Sequence, residues 1–155
     1  GCDRHCFNCF NSDTWDFNGG KEWTEETKNK FIKLIDRPYI NRISVLGGEP
    51  LAEQNLDEVL SLIKEIRISF PEKTIWLYTG YKFEDLINGI HYPLDSEWED
   101  KVLRQSIVKL CDVLVDGEYI DEQRDITLKW RGSSNQRVID AKQSLAQNKI
   151  VLYCD

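Results

Sequence analysis

The sequence predicts an α/β fold whose sheet is largely parallel. Three short, mainly apolar runs, at residues 43–46, 75–78 and 113–115, alternate along the chain with stretches in which apolar residues recur at helical spacing. These runs lack the strict polar–apolar alternation of half-exposed strands, which is typical of strands that are buried on both faces. Strands that alternate with helices in this way favour a parallel sheet.

The first predicted helix follows a loop rich in Cys, Asn, Asp and Gly at residues 1–20. Thr24 is the expected N-cap. Glu25 and Glu26 fall in the first turn, where carboxylates interact favourably with the helix dipole. Apolar residues at helical spacing supply one face of this helix: Phe31, Ile32, Leu34 and Ile35.

The second predicted helix shows the clearest amphipathic pattern. Its apolar residues fall at positions 56, 59, 60, 63 and 66, and Asn55 and Glu58 have the spacing of a capping box. Shorter helical patterns follow around residues 83–87 and 102–110. We predict a last strand at residues 150–153, whereas the segment at 130–137 is too polar to form core.

Small or polar residues follow each of the three predicted strands. They are Gly-Gly-Glu-Pro at 47–50, Thr-Gly-Tyr at 79–81 and Asp-Gly at 116–117. Ligands of α/β proteins bind at the carboxyl ends of parallel strands. The sequence therefore predicts that these three segments face one crevice.

Composition excludes several classes of protein. A chain of 155 residues with 41% hydrophobic and 30% charged residues suits one globular domain, which we predict over 1–155. The 20 Lys and Arg against 27 Asp and Glu give a net charge of −7, which argues against nucleic-acid binding. No apolar run is long enough to span a bilayer. Because the sequence contains no Met, we expect that an N-terminal stretch carrying the first strand precedes it.

Three of the five cysteines, Cys2, Cys6 and Cys9, form a C-x3-C-x2-C pattern. Three thiolates on one short loop can hold three corners of an iron–sulfur cube and leave the fourth iron open. A structural zinc site is the alternative, but zinc usually takes two separated cysteine pairs. The crowding of three cysteines and the odd total number favour a metal or cluster site in a reducing cytosol over a set of disulfides. Cys111 and Cys154 lie beside apolar runs and are expected to be small buried hydrophobes.

The cysteine pattern followed by Gly-Gly-Glu-Pro after the next strand resembles the radical S-adenosylmethionine superfamily. More narrowly, the chain is similar to the activating enzymes of anaerobic ribonucleoside-triphosphate reductase. Asn11 with Thr14-Trp15, the strand end Val115-Asp116-Gly117 and the segment at 131–137 carry this resemblance, which covers nearly the whole chain.

The resemblance implies an incomplete (β/α) barrel of the radical S-adenosylmethionine type, since the chain is short for a full one. It implies a [4Fe-4S] cluster on Cys2, Cys6 and Cys9, with S-adenosylmethionine at the open iron. Reductive cleavage of that molecule would yield a 5'-deoxyadenosyl radical, which would take a hydrogen from a glycine of the reductase large subunit and leave a glycyl radical. A flavodoxin or similar protein is the implied electron donor. An open side of the barrel suits a macromolecular substrate.

By the same resemblance, the segment at 47–50 holds the amino group of the methionine part of S-adenosylmethionine. Its members are Gly47, Gly48, Glu49 and Pro50. Glycine backbone can approach a ligand closely, and a plain strand-to-helix turn is the alternative role. The Glu49 carboxylate is a candidate acceptor for the amino group, and the alternative is that it faces solvent.

The other candidate ligands lie farther along the chain. Asp116 can bind a ribose hydroxyl or the amino group, and Thr79 is a weaker candidate, with ordinary turns as the alternative for both. Arg131 and Arg137 are candidates for the methionine carboxylate, because guanidinium groups bind carboxylates in bidentate fashion. Polar side chains that offer hydrogen bonds to the nucleoside or the partner, or that belong to a solvated loop, are Ser133, Ser134, Asn135 and Gln136.

The position before the third cysteine is often aromatic in the superfamily and packs near the adenine. Here it is Asn8, which leaves the adenine contact open. Phe10 is the candidate for stacking and Phe7 a weaker one, and burial in the core is the alternative for both.

Two other functions fit part of this pattern. One is a small radical S-adenosylmethionine enzyme that acts on a small molecule, of the 7-carboxy-7-deazaguanine synthase type. The segment at 131–137 and the short chain argue against it. The other is a non-enzymatic zinc or iron–sulfur module, for which Gly-Gly-Glu-Pro at a strand end would be a coincidence.

Overall fold

A computed structural model describes residues 1–87 and 97–153 and has an α/β fold. Its four strands, in sheet order, are β1 (Arg42–Val45), β2 (Thr74–Tyr78), β3 (Val113–Asp116) and β4 (Arg137–Asp140). The first three are parallel neighbours, and β4 pairs antiparallel with β3. The predicted α/β fold with a mostly parallel sheet is confirmed. Within the described residues the sheet is open and does not close into a barrel.

In the described parts of the chain, five helices accompany the sheet: α1 (Glu25–Ile35), α2 (Leu56–Ser69), α3 (Phe83–Ile87), α4 (Glu97–Leu110) and α5 (Ala141–Gln147). One-turn 3-10 helices cover Ser12–Thr14, Glu53–Asn55 and Asp121–Gln123. No helix in the described parts of the chain combines the length and the apolar character that crossing a membrane requires.

The two predicted helix caps have different outcomes. The backbone N–H of Thr27 donates to Thr24 Oγ1 at 3.2 Å, so Thr24 caps α1 as expected. Asn55 precedes α2 but makes no side-chain cap. Its Nδ2 donates instead to the carbonyl oxygens of Glu49 at 2.8 Å and Gly1 at 3.2 Å. The capping-box prediction is wrong because this amide joins the N-terminal loop to the segment after β1.

The C-terminal part of the chain differs from the prediction. Residues 150–153 form no strand and contribute one isolated bridge, between Leu152 and Ile139. The edge strand is β4, which begins at the last residue of the segment interpreted as too polar for core. The Asp140 side chain then caps α5 by accepting from the N–H of Gln143 at 2.8 Å.

The main core lies between one face of the sheet and the helices, with α2 and α4 packed against each other. Val113, Leu114 and Val115 of β3 are buried, as the continuous apolar run predicted, and Asp116 at the end of the strand is buried as well. Cys111 is fully buried in this core, and its thiol donates to the carbonyl of Ile107 at 3.2 Å. Burial raises the pKa of the Cys111 thiol to about 12. Its prediction as a small buried hydrophobe is confirmed, whereas Cys154 lies outside the described residues.

A smaller cluster covers the opposite face of the sheet. It consists of Trp76, Val113, Val115 and Val138, with Tyr78 packed against them.

Candidate functional site

The N-terminal cysteine loop is docked on the carboxyl end of β1 by hydrogen bonds. The carbonyl of Gly1 accepts from the N–H of Glu49 at 2.8 Å. Thr14 Oγ1 accepts from the N–H of Gly48 at 2.9 Å, and the N–H of Cys2 donates to the carbonyl of Trp15 at 3.1 Å. The loop that carries the cysteines and the Gly-Gly-Glu-Pro segment therefore form one structural unit.

Both glycines of this segment adopt left-handed backbone angles, with φ of +82° at Gly47 and +58° at Gly48. A Cβ atom at Gly48 would lie 2.4 Å from the carbonyl oxygen of Gly1, and one at Gly47 would lie 3.2 Å from Asn11 Nδ2. Glycine is needed here both for the turn and for close approach. The group that approaches most closely is the backbone of the cysteine loop.

Cys2 is buried and Cys6 and Cys9 are half-buried, and none of them forms a disulfide within the described residues. A turn joins the last two through a 3.1 Å bond from the N–H of Cys9 to the carbonyl of Cys6. The N–H of Asn11 donates to Cys9 Sγ at 3.4 Å, a contact of the kind that tunes iron–sulfur clusters. Burial, with a smaller contribution from Glu118, raises the pKa of Cys6 to about 11, so binding of a metal would release its proton.

Among residues 1–87 and 97–153, no three His, Cys, Asp or Glu side chains converge on a position for one metal ion. A [4Fe-4S] cluster binds each thiolate through a different iron, so its ligands need not meet at one point. Three free thiols on one loop, with a backbone donor aimed at one sulfur, fit the donor set of such a cluster.

A cavity of about 880 Å³ opens beside the cysteine loop. This is within the usual range for small-molecule sites. Cys2 and Cys9 line it together with Gly47 and Gly48. The predicted residues that also line it are Asn8, Phe10, Arg131 and Gln136. Phe10 is 95% exposed and Phe7 is also exposed, so neither is a core residue.

Several residues of this cavity were absent from the predicted site: Tyr78, Tyr119, Asp121, Arg124, Asp125 and Trp130. Tyr78 ends the second predicted strand, and Trp130 directly precedes a predicted ligand, so their positions beside those motifs were the available signal. The loop after β3 carries the others, and its path was not predicted.

Asn8 connects the cysteine loop to the loop that follows β3. Its Nδ2 donates to Asp121 Oδ2 at 2.9 Å, and the hydroxyl of Tyr119 donates to Asp121 Oδ1 at 2.6 Å. These bonds lower the pKa of Asp121, with the larger effect from Tyr119. Asn8 itself has φ of +54°, a backbone region that Asn tolerates better than most residues.

Glu49 is 1% exposed, so the alternative that it faces solvent is wrong. Its carboxylate accepts from Thr79 Oγ1 and from the N–H of Gly80, both at 2.7 Å, and from the N–H of Leu51 at 2.9 Å. Burial raises the pKa of Glu49, and these bonds oppose the rise. Glu49 and Thr79 thus bind each other, Pro50 is buried beside them, and none of the three lines the 880 Å³ cavity.

Asp116 and Arg137 also bind each other. Asp116 is 1% exposed and accepts from Arg137 Nε at 2.9 Å and from the N–H of Phe83 at 2.8 Å, with a further bond from Arg137 Nη2. Arg137 makes a bidentate pair with Glu84 at 2.8 and 2.7 Å, which lowers the pKa of Glu84 to about 2. Both predicted ligands line a second cavity of about 600 Å³, together with Asn135.

The segment at 131–137 bonds mainly to itself and to residues 117–123. Ser133 is fully buried, and its Oγ accepts from the N–H of Ile120 at 3.3 Å. Gln136 Oε1 accepts from the N–H of Gly132 at 2.9 Å, and Asn135 Nδ2 donates to the carbonyl of Glu118 at 2.8 Å. The polar character of this segment therefore shapes a wall between the two cavities, and it is not a freely solvated loop.

The buried Nε of Arg131 has no hydrogen-bond partner within the described residues. Asn135 Oδ1 is in the same condition. Arg131 lines the 880 Å³ cavity with the cysteines, and Asn135 lines the other. Of the two arginines predicted to bind a carboxylate, Arg131 is the one with a donor left over.

Comparison with known proteins agrees with this geometry. A family model described as a 4Fe-4S single cluster domain matches residues 1–139. The chain is 37% identical over 140 residues to the anaerobic ribonucleoside-triphosphate reductase-activating protein of Salmonella typhimurium, covering 89% of this chain and 82% of that one. The chain belongs to this family of activating proteins. The resemblance read from the cysteine pattern is confirmed.

Other members of the family align over a similar range. The Escherichia coli K12 protein of the same name is 36% identical, covering 89% of this chain and 82% of its own length. The Enterobacteria phage T4 protein of that name is 34% identical over 89% of this chain and 78% of its own length. No solved structure matches the chain. The expected [4Fe-4S] cofactor is supported by the family model.

Proposed function

We propose that this protein activates an anaerobic ribonucleoside-triphosphate reductase by placing a glycyl radical on its large subunit. Cys2, Cys6 and Cys9 hold a [4Fe-4S] cluster, and the 880 Å³ cavity holds S-adenosylmethionine. The observation that carries the proposal is the docking of the cysteine loop on Gly48 and Glu49 at this cavity. When bound, the cluster supplies the electron that splits S-adenosylmethionine into methionine and a 5'-deoxyadenosyl radical.

The chain contributes binding and orientation. Backbone bonds from Gly48 and Glu49 to the cysteine loop set the distance between the thiols and the Gly-Gly-Glu-Pro segment. Backbone of Gly47 and Gly48 lines the cavity without side chains, which suits close approach of the methionine amino group. Glu49 supports this arrangement from behind, because its oxygens are bonded to Thr79, Gly80 and Leu51.

Arg131 is the residue we assign to the methionine carboxylate. Arg131 lines the cavity together with Cys2 and Cys9, and a guanidinium binds a carboxylate through two parallel hydrogen bonds. Arg137 is less suited because Glu84 and Asp116 already occupy its guanidinium. We assign Asp116, Thr79, Ser133 and Asn135 to shaping the site and not to direct contact with S-adenosylmethionine.

The open side of the cavity supports a protein substrate. Large apolar side chains at its rim are exposed: Phe10, Leu46, Ile126 and Trp130. Exposed apolar patches rimmed by polar residues mark sites of protein interaction as well as ligand-binding grooves. We propose that the sheet is the open part of an incomplete barrel of the radical S-adenosylmethionine type, in a single domain over 1–155. A flavodoxin or similar protein in a reducing cytosol would supply the electron.

The test is anaerobic reconstitution with iron and sulfide, followed by dithionite reduction and electron paramagnetic resonance with and without S-adenosylmethionine. We expect a reduced-cluster signal that changes on addition of S-adenosylmethionine, formation of 5'-deoxyadenosine, and an organic radical on the reductase. Bound zinc with intact S-adenosylmethionine would support the non-enzymatic module instead. A radical-derived change in a nucleotide-like small molecule, with none on the reductase, would support the small-molecule enzyme.

A further inference from the structure

Trp130 has a backbone conformation that its side chain does not favour. Its φ is +67°, in the left-handed region. Among the described residues, the other non-glycine residues in this region are His5, Asn8 and Asn148, and Asn and His are enriched there. A bulky indole is a genuine outlier, and such outliers persist where the surroundings hold them and a site makes use of them.

The conformation changes where the side chains of this segment point. Trp130, Arg131 and Gly132 are consecutive, and all three line the 880 Å³ cavity. In an extended segment, successive side chains point to opposite sides. The left-handed residue breaks this alternation and allows an indole and a guanidinium to face the same cavity. The same guanidinium carries the buried Nε that has no partner within the described residues.

The indole is held in place from one side. The guanidinium carbon of Arg42 lies 4.2 Å from the ring centroid of Trp130 and 4.8 Å from that of Trp76. The rings of Trp76 and Trp130 meet edge to face, with centroids 5.4 Å apart. Trp130 nevertheless remains 44% exposed. An aromatic ring that is fixed by packing and half open to a cavity is suited to stack against a planar ligand.

We propose that Trp130 stacks on the adenine of S-adenosylmethionine, next to the carboxylate contact of Arg131. This inference rests on the proposed function and replaces Phe10, the candidate from the sequence. Phe10 is 95% exposed, so packing does not hold its ring in one orientation. Trp130 is held by Arg42 and Trp76 before the ligand arrives, so less conformational entropy is lost on binding.

The test measures binding and needs no turnover. Anaerobically reconstituted protein is titrated with S-adenosylhomocysteine, which carries both the adenine and the amino-acid part, and with 5'-methylthioadenosine, which lacks the amino-acid part. We expect Trp130→Ala to weaken binding of both by about tenfold or more, the usual loss when a base-stacking aromatic is removed. Trp130→Phe retains a stacking ring and should lose far less. Trp23→Ala, which removes an exposed indole that packs on Phe31 of α1, is the matched control and should bind both as the wild type does.

Binding of methionine distinguishes the loss of adenine stacking from a loss of folding. Trp130→Ala should still bind methionine, whereas Arg131→Gln should weaken methionine and S-adenosylhomocysteine and leave 5'-methylthioadenosine nearly unchanged. Quenching of indole fluorescence by 5'-methylthioadenosine should disappear in Trp130→Phe. The inference would be overturned if Trp130→Ala bound both adenine ligands with wild-type affinity and Phe10→Ala bound them more weakly. In that case, cleavage of S-adenosylmethionine by the wild type would still uphold the proposed function. If the wild type neither binds S-adenosylhomocysteine nor cleaves S-adenosylmethionine, the proposed function and this inference both fail.

Discussion

The hydroxyl of Thr79 donates a 2.7 Å hydrogen bond to the buried carboxylate of Glu49 and so joins the carboxyl ends of β1 and β2. Both residues carry the chemistry of ligands, and both follow predicted strands. The structure uses them to hold two strand ends together, 1% and 6% exposed, behind the cavity wall. Their contribution to function is therefore the position of Gly47 and Gly48, which do line the cavity.

Thr79→Val tests this support. The substitution preserves shape but removes the donor to Glu49 and the acceptor of the N–H of Tyr81, which lies 3.1 Å from Thr79 Oγ1. Leaving buried polar atoms without partners should lower the free energy of unfolding by about 1–3 kcal/mol. Thr79→Ser retains both bonds and should lose about 1 kcal/mol or less, the value of one buried methyl group. Urea unfolding curves measure both, and equal losses for the two variants would contradict the role of the hydroxyl.

Gly48→Ala tests the docking of the cysteine loop. The new Cβ would lie 2.4 Å from the carbonyl of Gly1 and displace the acceptor of the N–H of Glu49. We expect iron uptake on reconstitution to fall severalfold. Gly20→Ala is the matched control, because Gly20 also has a positive φ, +79°, but nothing lies within 4 Å of its Cβ position. That variant should lose only about 1–2 kcal/mol of stability and bind iron normally. Iron content equal to the wild type in Gly48→Ala would refute the docking argument.

Local patterns in the sequence were sufficient for the three parallel strands and for α1 and α2. Continuous apolar runs and helical spacing indicate burial directly, so these elements can be predicted without knowledge of the tertiary structure. β4 was missed because its four residues, Arg137–Asp140, begin and end with a charged residue and contain only two apolar ones. The predicted strand at 150–153 has the stronger apolar signal, yet it contributes a single bridge.

The site shows the same limit at the level of side chains. The prediction that all three strand ends face one crevice is wrong, because Gly47 and Gly48 line the 880 Å³ cavity whereas the segments at 79–81 and 116–117 contribute to the 600 Å³ one. The antiparallel register of β3 and β4, which places Asp116 opposite Arg137, was not predictable from the sequence. Two residues that each suit a ligand therefore pair across the strands. Trp130 was missed because a left-handed backbone angle at an aromatic residue leaves no mark in the sequence.

The ion pair between Glu84 and Arg137 makes the free energy of unfolding depend on pH in the acidic range. This pair lowers the pKa of Glu84 from 4.5 to about 2 in the folded protein. A lowered pKa in the folded state stabilises the protein above about pH 4.5, and this stabilisation is lost as pH falls toward 2. Because the Glu84 side chain is 43% exposed, solvent screening limits the effect to roughly 1 kcal/mol or less. Glu84→Gln should lower stability at pH 7 and approach the wild type near pH 2, as followed by urea unfolding.

A control for Glu84 is Glu22→Gln, which neutralises an exposed carboxylate in the loop before α1. This variant should leave the difference in the free energy of unfolding between pH 7 and pH 3 the same as in the wild type. If Glu84→Gln showed the same pH dependence of unfolding as the wild type and the control, the bond to Arg137 would not be the source of the lowered pKa.

The three cysteines of the N-terminal loop should each be necessary for the cluster, whereas Cys111 should not. Cys2→Ala, Cys6→Ala and Cys9→Ala each remove one of three thiolates, so we expect reconstituted protein to hold far fewer than about four irons per chain and to lack the reduced-cluster resonance. Cys111 lies in the main core and donates to Ile107, so Cys111→Ala should cost roughly 1 kcal/mol of stability and retain the cluster. Cys154→Ala should also retain it. Burial raises the pKa of the Cys111 thiol to about 12, so this cysteine is poorly suited to become a thiolate ligand. Loss of the cluster in Cys111→Ala, with a normal unfolding curve, would therefore show that the ligand set is wrong.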